Sequence, residues 1–200
     1  MKVLVTGFEP FDGAAVNSSW ELAQALSTEP GVAAVQLPCR FGSSLQVLDE
    51  ALRRQRPQLV LALGQTPQPG ALRFERVAVN WIDSRIPDND GLQPIDVQVL
   101  PGAPAAYFSR LPLKRMVAAA RAAGMPAEVS LSAGSYVCNQ VFFGLQHRLR
   151  RRPGVISGFV HVPGLGDALS FETMLLGVRA ALAVADQPEL HAPRSEGRIA

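Results

Sequence analysis

Residues 2–6 (KVLVT), 32–37 (VAAVQL) and 59–63 (LVLAL) are short, almost wholly apolar runs, and two amphipathic stretches, 18–28 and 43–56, lie between them. A strand buried on both faces reads as such an unbroken run, and strand–helix–strand alternation builds a parallel sheet covered by helices. The fold class is therefore α/β. Both early helices begin with capping-box spacing, Ser18 with Glu21 and Ser43 with Gln46. Downstream, FERVAVNWI (74–82) alternates like a strand, and DSRIPDNDG (83–91) reads as a loop. The stretch 93–112, punctuated by Pro94, Pro101, Pro104 and Pro112, reads as an antiparallel excursion from the main sheet. A helix over 113–123, a strand over 127–132, a helix containing Cys138, a strand over 155–162 and a long helix over 168–185 complete the pattern. Residues 1–186 make one domain, and the polar, proline-interrupted residues 187–200 are expected to be a flexible tail.

A chain of 200 residues, 48% hydrophobic and 18% charged, can bury one substantial core. A formal net charge of +2 gives no reason to expect nucleic acid, and the arginine-rich run 148–152 suits a helix C-terminus better than a phosphate patch. The apolar run of the N-terminal MKVLVTGFEPFDG is too short for a signal peptide, and no stretch has membrane-spanning length. A cytoplasmic protein is expected. Two cysteines, Cys39 and Cys138, have neither zinc-site spacing nor the density of a disulfide scaffold. The glycine-bounded loop 7–13 follows the first strand but has no Gly-Lys-Ser/Thr ending and no dinucleotide fingerprint, so no nucleotide cofactor is expected.

The chemistry concentrates at AGSYVCNQVFF (133–143), where a small-residue strand end runs into a helix with Val141, Phe142, Leu145 and Leu149 on one stripe. A cysteine at a helix N-terminus faces unpaired N–H groups and the positive end of the helix dipole, which favour a thiolate nucleophile. The alternative is a packed thiol acting as a small hydrophobe. Of three histidines, His147 lies about 13 Å along the same helix and about 180° around it, out of reach of the thiol. His191 is in the tail. His161 ends the run GVISGFVHVPG, at a strand end where α/β sheets place ligand sites, and is the candidate base, although such a histidine can also be structural.

Five segments now occur in order: GFEPFDG (7–13), ERVAVN (75–80), SRIPDNDG (84–91), GSYVCN (134–139) and GFVHVPG (158–164). Together they resemble the pyroglutamyl peptidase I family, also called the pyrrolidone-carboxylate peptidases, over the whole chain up to the tail. The resemblance implies Cys138 as nucleophile, His161 as general base and acid, and Glu75 as the group orienting the histidine. It implies an α/β/α sandwich with a mixed, phosphorylase-like sheet, no metal, and assembly as a tetramer or dimer. By the same resemblance Phe8 and Phe11 enclose the substrate ring, Tyr136 is an aromatic neighbour of the cysteine, Asn17 and Gln65 are polar groups close to the pocket, and Arg85 lies near the reacting carbonyl. The implied substrates are peptides with an N-terminal pyroglutamyl residue. The sequence departs from the family pattern at Asp12, where a glycine is usual, and at Pro67-Gln68-Pro69, where Gly-Gly-Arg is usual. A carboxylate at 12 is expected to oppose thiolate formation, and the two prolines to re-route the pocket rim. The other readings of the same residues are a non-catalytic small-molecule binding domain and a nucleoside phosphorylase.

Overall fold

In the computed structural model, which describes residues 1–166, 169–190 and 195–196, eight strands and five helices alternate along the chain. A six-stranded sheet has the order β2-β1-β3-β8-β4-β7, formed by Val3–Phe8 (β1), Val32–Leu37 (β2), Leu59–Thr66 (β3), Leu72–Glu75 (β4), Ala127–Ser130 (β7) and Ile156–Pro163 (β8). Strands β1, β2, β3 and β8 pair in parallel; β4 runs antiparallel to β8, and β7 parallel to β4, so the sheet is mixed.

Period-two alternation sorts the apolar runs onto two faces. Leu59, Leu61 and Leu63 of β3 join Leu22 and Leu26 of helix α1 (Ser18–Leu26), Met116 and Val117 of α3 (Leu113–Ala122), and Met174 and Val178 of α5 (Phe171–Leu182). Val60 and Ala62, pointing the other way, join Leu48 and Leu52 of α2 (Ser44–Gln55) and Val141, Phe142 and Leu145 of α4 (Val137–Leu149). Three helices on one face and two on the other give three layers, α/β/α.

Several details differ from the sequence reading. FERVAVNWI is not one strand: β4 ends at Glu75, and Val77–Val79 (β5) leaves the main sheet to pair antiparallel with Ala106–Phe108 (β6). Alternation of side chains survives this change of sheet, so the pattern could not reveal it. The capping boxes do not form. The N-cap of α1 is Asn17, whose Oδ1 accepts from Ser19 N–H at 3.0 Å, while Ser18 bonds Gln65 instead; Ser43 caps α2 without a side-chain hydrogen bond. The final helix runs Phe171–Leu182, and its anticipated start at 168 lies outside the described residues.

Candidate active site

One row of residues crosses the sheet on the face covered by α4. Gly64 on β3 is the register partner of His161 on β8, His161 that of Arg73 on β4, and Arg73 that of Glu128 on β7. Adjacent strands lie about 4.8 Å apart. Cys138, second residue of α4, projects onto this row: a Cβ built on Gly64 would lie 2.9 Å from Cys138 Sγ and 2.6 Å from Phe159 Cζ. The sulfur thus occupies the space above Gly64, one strand away from the imidazole of His161.

That imidazole is fixed from two sides. Its Nδ1 is 2.8 Å from Oε1 of Glu75, a carboxylate with no exposed surface, and the Phe159 ring meets it edge-on at 4.9 Å. An ionised carboxylate can only accept, so Nδ1 carries the proton and Nε2 keeps its lone pair. Oε2 of Glu75 has no hydrogen-bond partner among the described residues, so the bond to the imidazole is what holds this buried side chain in place.

Around the thiol, burial works against the effect expected from a helix start. Burial pushes the Cys138 thiol well above its ordinary value, and the fields of Cys39 and Glu75 push it further; its own backbone N–H opposes them only in part. Desolvation outweighs the helix terminus and favours the neutral thiol, although Cys138 keeps some exposure where it lines the cavity. The opposing carboxylate is Glu75 and not Asp12, which lines the cavity from an exposed loop in a left-handed conformation, φ +53°, the geometry glycine adopts most easily.

The row opens into a cavity of about 1010 Å³ lined by Phe11, Gln65, Glu75, Arg85, Tyr136, Cys138 and His161, seven of the nine residues named from the sequence. Phe11 and Tyr136 face each other with ring centroids 6.2 Å apart. Gln65 has its Oε1 held by Ser18 N–H (2.8 Å) and Ser18 O–H (3.0 Å), so the amide nitrogen is the end left for a ligand. Pro67 and Gln68 also line the wall.

The other two lie behind the wall. Phe8 ends a buried strand with its ring against Phe159, 6.5 Å between centroids, and reaches His161 only through that ring. Asn17 is buried as the α1 cap and donates to the Glu9 carbonyl at 3.1 Å, which ties the 7–13 loop to the helix. Of the remaining histidines, His147 bonds Tyr107 O–H through Nδ1 at 2.9 Å away from the cavity, and His191 lies outside the described residues.

Sequence reasoning missed the groups that hold the loops. Glu9 Oε1 accepts from Cys39 N–H, Arg40 Nε–H and Asn89 Nδ2–H, joining the 7–13 and 83–91 loops. Asp88 accepts from the N–H groups of Phe41, Asp90 and Leu92. Buried Asn139, next to Cys138, bonds the backbone of Val79 and Trp81. Only Gly64 left a signal, an isolated glycine in an apolar strand, which marks a close approach.

The comparisons with known proteins agree with this architecture. The pyroglutamyl peptidase family model matches residues 1–187. The chain is 48% identical over 197 residues to the pyrrolidone-carboxylate peptidase of Streptomyces coelicolor, covering 92% of this chain and 91% of the relative. It is 46% identical over 198 residues to that of Cupriavidus taiwanensis, covering 92% of each. The crystal structure of pyroglutamyl peptidase I from Bacillus amyloliquefaciens superposes with a TM-score of 0.90 at 36% identity, over 94% of this chain and 99% of that one. The pyrrolidone carboxyl peptidase from Thermococcus litoralis superposes equally well, TM-score 0.90 at 32% identity, over 96% and 99% of the two chains. With a thiol, an imidazole and a buried carboxylate gathered on one sheet face and a match spanning nearly its whole length, the chain belongs to the pyroglutamyl peptidase family.

Proposed function

We propose that the chain hydrolyses the amide bond after an N-terminal pyroglutamyl residue through a thioester, with Cys138 as nucleophile, His161 as base and acid, and Glu75 holding the imidazole. The observation that carries this reading is the row Gly64–His161 with the Cys138 sulfur seated over Gly64 and Glu75 behind the ring. Because burial favours the neutral thiol, the attack couples to proton transfer: Sγ bonds to the carbonyl carbon as Nε2 of His161 takes the thiol proton. The backbone N–H groups at the start of α4 and the Arg85 guanidinium stabilise the oxyanion. Imidazolium then hands its proton to the departing amine, the C–N bond breaks, and a thioester remains. Water deprotonated by His161 attacks that thioester and releases pyroglutamate and the thiol.

The substrate carries no α-ammonium, since its nitrogen is part of a lactam. An enclosure of Phe11 and Tyr136 with the Gln65 amide suits a neutral ring that offers a carbonyl acceptor. The reading extends to a cytoplasmic enzyme that assembles as a dimer or tetramer. Among the described residues no helix is long and apolar enough to cross a membrane. The assay that tests the reaction uses a fluorogenic pyroglutamyl amide. Release of the fluorophore that iodoacetamide abolishes supports it. Binding without turnover would favour a non-catalytic domain, and phosphate-dependent nucleoside cleavage a phosphorylase.

A further inference from the structure

The cavity is larger than one five-membered lactam requires, since volumes of about 300–1,000 Å³ accommodate drug-sized ligands. Its extent has a direction. Phe11, Gln65 and Tyr136 stand on the side of Cys138, while the row continues past His161 through Arg73 to Glu128 on the edge strand β7. His161 gives its proton to the departing amine in the reaction proposed above, so the peptide that follows the pyroglutamyl residue passes over His161 toward Arg73 and β7. At that end the wall includes Ser195 and Glu196. Both lie beyond residues 1–187, where the match to the family ends.

This C-terminal segment is held by specific bonds to α3. Near the helix start, Pro112 caps α3 without a side-chain bond, and the Glu189 carboxylate does that work, accepting from Lys114 N–H at 3.2 Å and Arg115 N–H at 3.1 Å. Arg115 adds bonds from Nε to Pro188 O at 2.6 Å and from its guanidinium to Gln187 Oε1 at 3.0 Å. In the last turn of the same helix, Arg121 grips Glu196 with a two-pronged pair, both N···O distances 2.9 Å. The fork is aimed by a third bond, Arg121 Nε–H to the carbonyl of Ala127 at the start of β7, 2.8 Å. The Glu196 side chain is only 12% exposed, so it is seated in the wall.

We propose that Ser195 and Glu196, held by Arg121, wall the leaving-group end of the cavity and limit how long a peptide can follow the pyroglutamyl residue. This rests on the direction of the proposed reaction and predicts a preference for short substrates that the matched family region alone does not impose.

The test compares a small fluorogenic pyroglutamyl amide with a pyroglutamyl decapeptide in the wild type and in Arg121→Gln. The variant should raise kcat/KM for the decapeptide about fivefold, mostly through KM, the shift that loss of one partly exposed pair can produce, and leave the small amide unchanged. Glu196→Gln should give the same gain on the decapeptide. A readout independent of turnover is alkylation of Cys138, followed by peptide mapping: Arg121→Gln should speed a bulky polyethylene-glycol maleimide and not iodoacetamide. Equal effects on both substrates, or no effect on the decapeptide and on the bulky reagent, would overturn the proposal. If the wild type cleaved no pyroglutamyl amide while Arg121→Gln still admitted the bulky reagent, the wall would stand and the assigned reaction would fall.

Discussion

Cys138 Sγ occupies the space over Gly64, where any β-carbon would intrude to 2.9 Å. The same β-carbon would come within 2.6 Å of the Phe159 ring, which is wedged between Phe8 and His161. Neither neighbour is the loose end of a flexible chain. Gly64→Ala is therefore expected to cost about 1–3 kcal/mol of stability through overpacking and to displace the nucleophile from the base. A displacement of about 1 Å costs on the order of a hundredfold in rate. Thermal unfolding and amidase assays on the same preparation check this. A folded Gly64→Ala with normal kcat would show that the sulfur acts from elsewhere.

Cys138→Ala should abolish hydrolysis of a pyroglutamyl amide, whereas Cys39→Ala should retain it, since Cys39 is buried outside the cavity wall. The two thiols also make a pH prediction. Because burial holds the Cys138 proton, its alkylation in the free enzyme should climb with pH through and beyond about 8.5, the ordinary thiol value, with no plateau near neutrality. Rates of iodoacetamide modification between pH 6 and pH 10 decide the point, and a plateau at pH 7 would restore the resting thiolate.

Cys39 links stability to alkaline pH. Burial, with the fields of Glu9 and Asp88, pushes it up to about 12 against a hydrogen bond from Tyr136 that lowers it. The folded protein keeps a proton that the unfolded chain releases above about 8.5, so this contribution is complete below that pH and is lost as pH rises toward the folded value. Tyr136, also raised by burial, acts in the same sense. Unfolding midpoints should fall between about pH 9 and pH 11, and in Cys39→Ala they should fall less steeply. Parallel slopes in the two proteins would contradict the assignment.

The layers were legible because parallel strands buried on two faces leave unbroken apolar runs, as at 59–63, whatever the details of their neighbours. His161 was legible from its strand end and from the geometry that excludes His147. Other features depend on partners distant in sequence. Ser18 has the spacing of a capping box, yet its N–H and hydroxyl go to Gln65, 47 residues away, and Asn17 caps the helix. Cys138 begins a helix, as the small-residue stretch before it suggests, but its thiol answers to burial produced by the tertiary packing of that helix end over β3, of which the isolated Gly64 is the one trace in the sequence. Glu75 came from resemblance alone. Its strand position is ordinary, and only the register of β4 against β8 brings it to the histidine.

Specificity should follow from Phe11, Tyr136 and the Gln65 amide. A glutamyl amide would place an α-ammonium and a side-chain carboxylate where a neutral lactam is enclosed, and an unpaired buried charge costs several kcal/mol. About 4 kcal/mol corresponds to on the order of a thousandfold in kcat/KM. Asp12, next to Phe11 on the wall, is a carboxylate that could relieve an ammonium, so Asp12→Gly should widen the preference for the lactam. Comparable rates on the two amides, in both proteins, would mean that the enclosure is misassigned.

The histidine assignment has the sharpest contrast, because the two described histidines have different neighbours. His161→Ala should remove turnover and slow alkylation of Cys138, since no imidazole then takes the thiol proton. His147→Ala should keep normal rates; its ring bonds Tyr107 and stacks on Phe143, so the change should lower stability only. Glu75→Gln tests the orienter. An amide can still accept from Nδ1 through its carbonyl and hold the ring, but it no longer stabilises imidazolium, so kcat should fall to an intermediate level with KM little changed. A folded His161→Ala with full activity would displace the base from β8 and break the link between the sheet register and the chemistry.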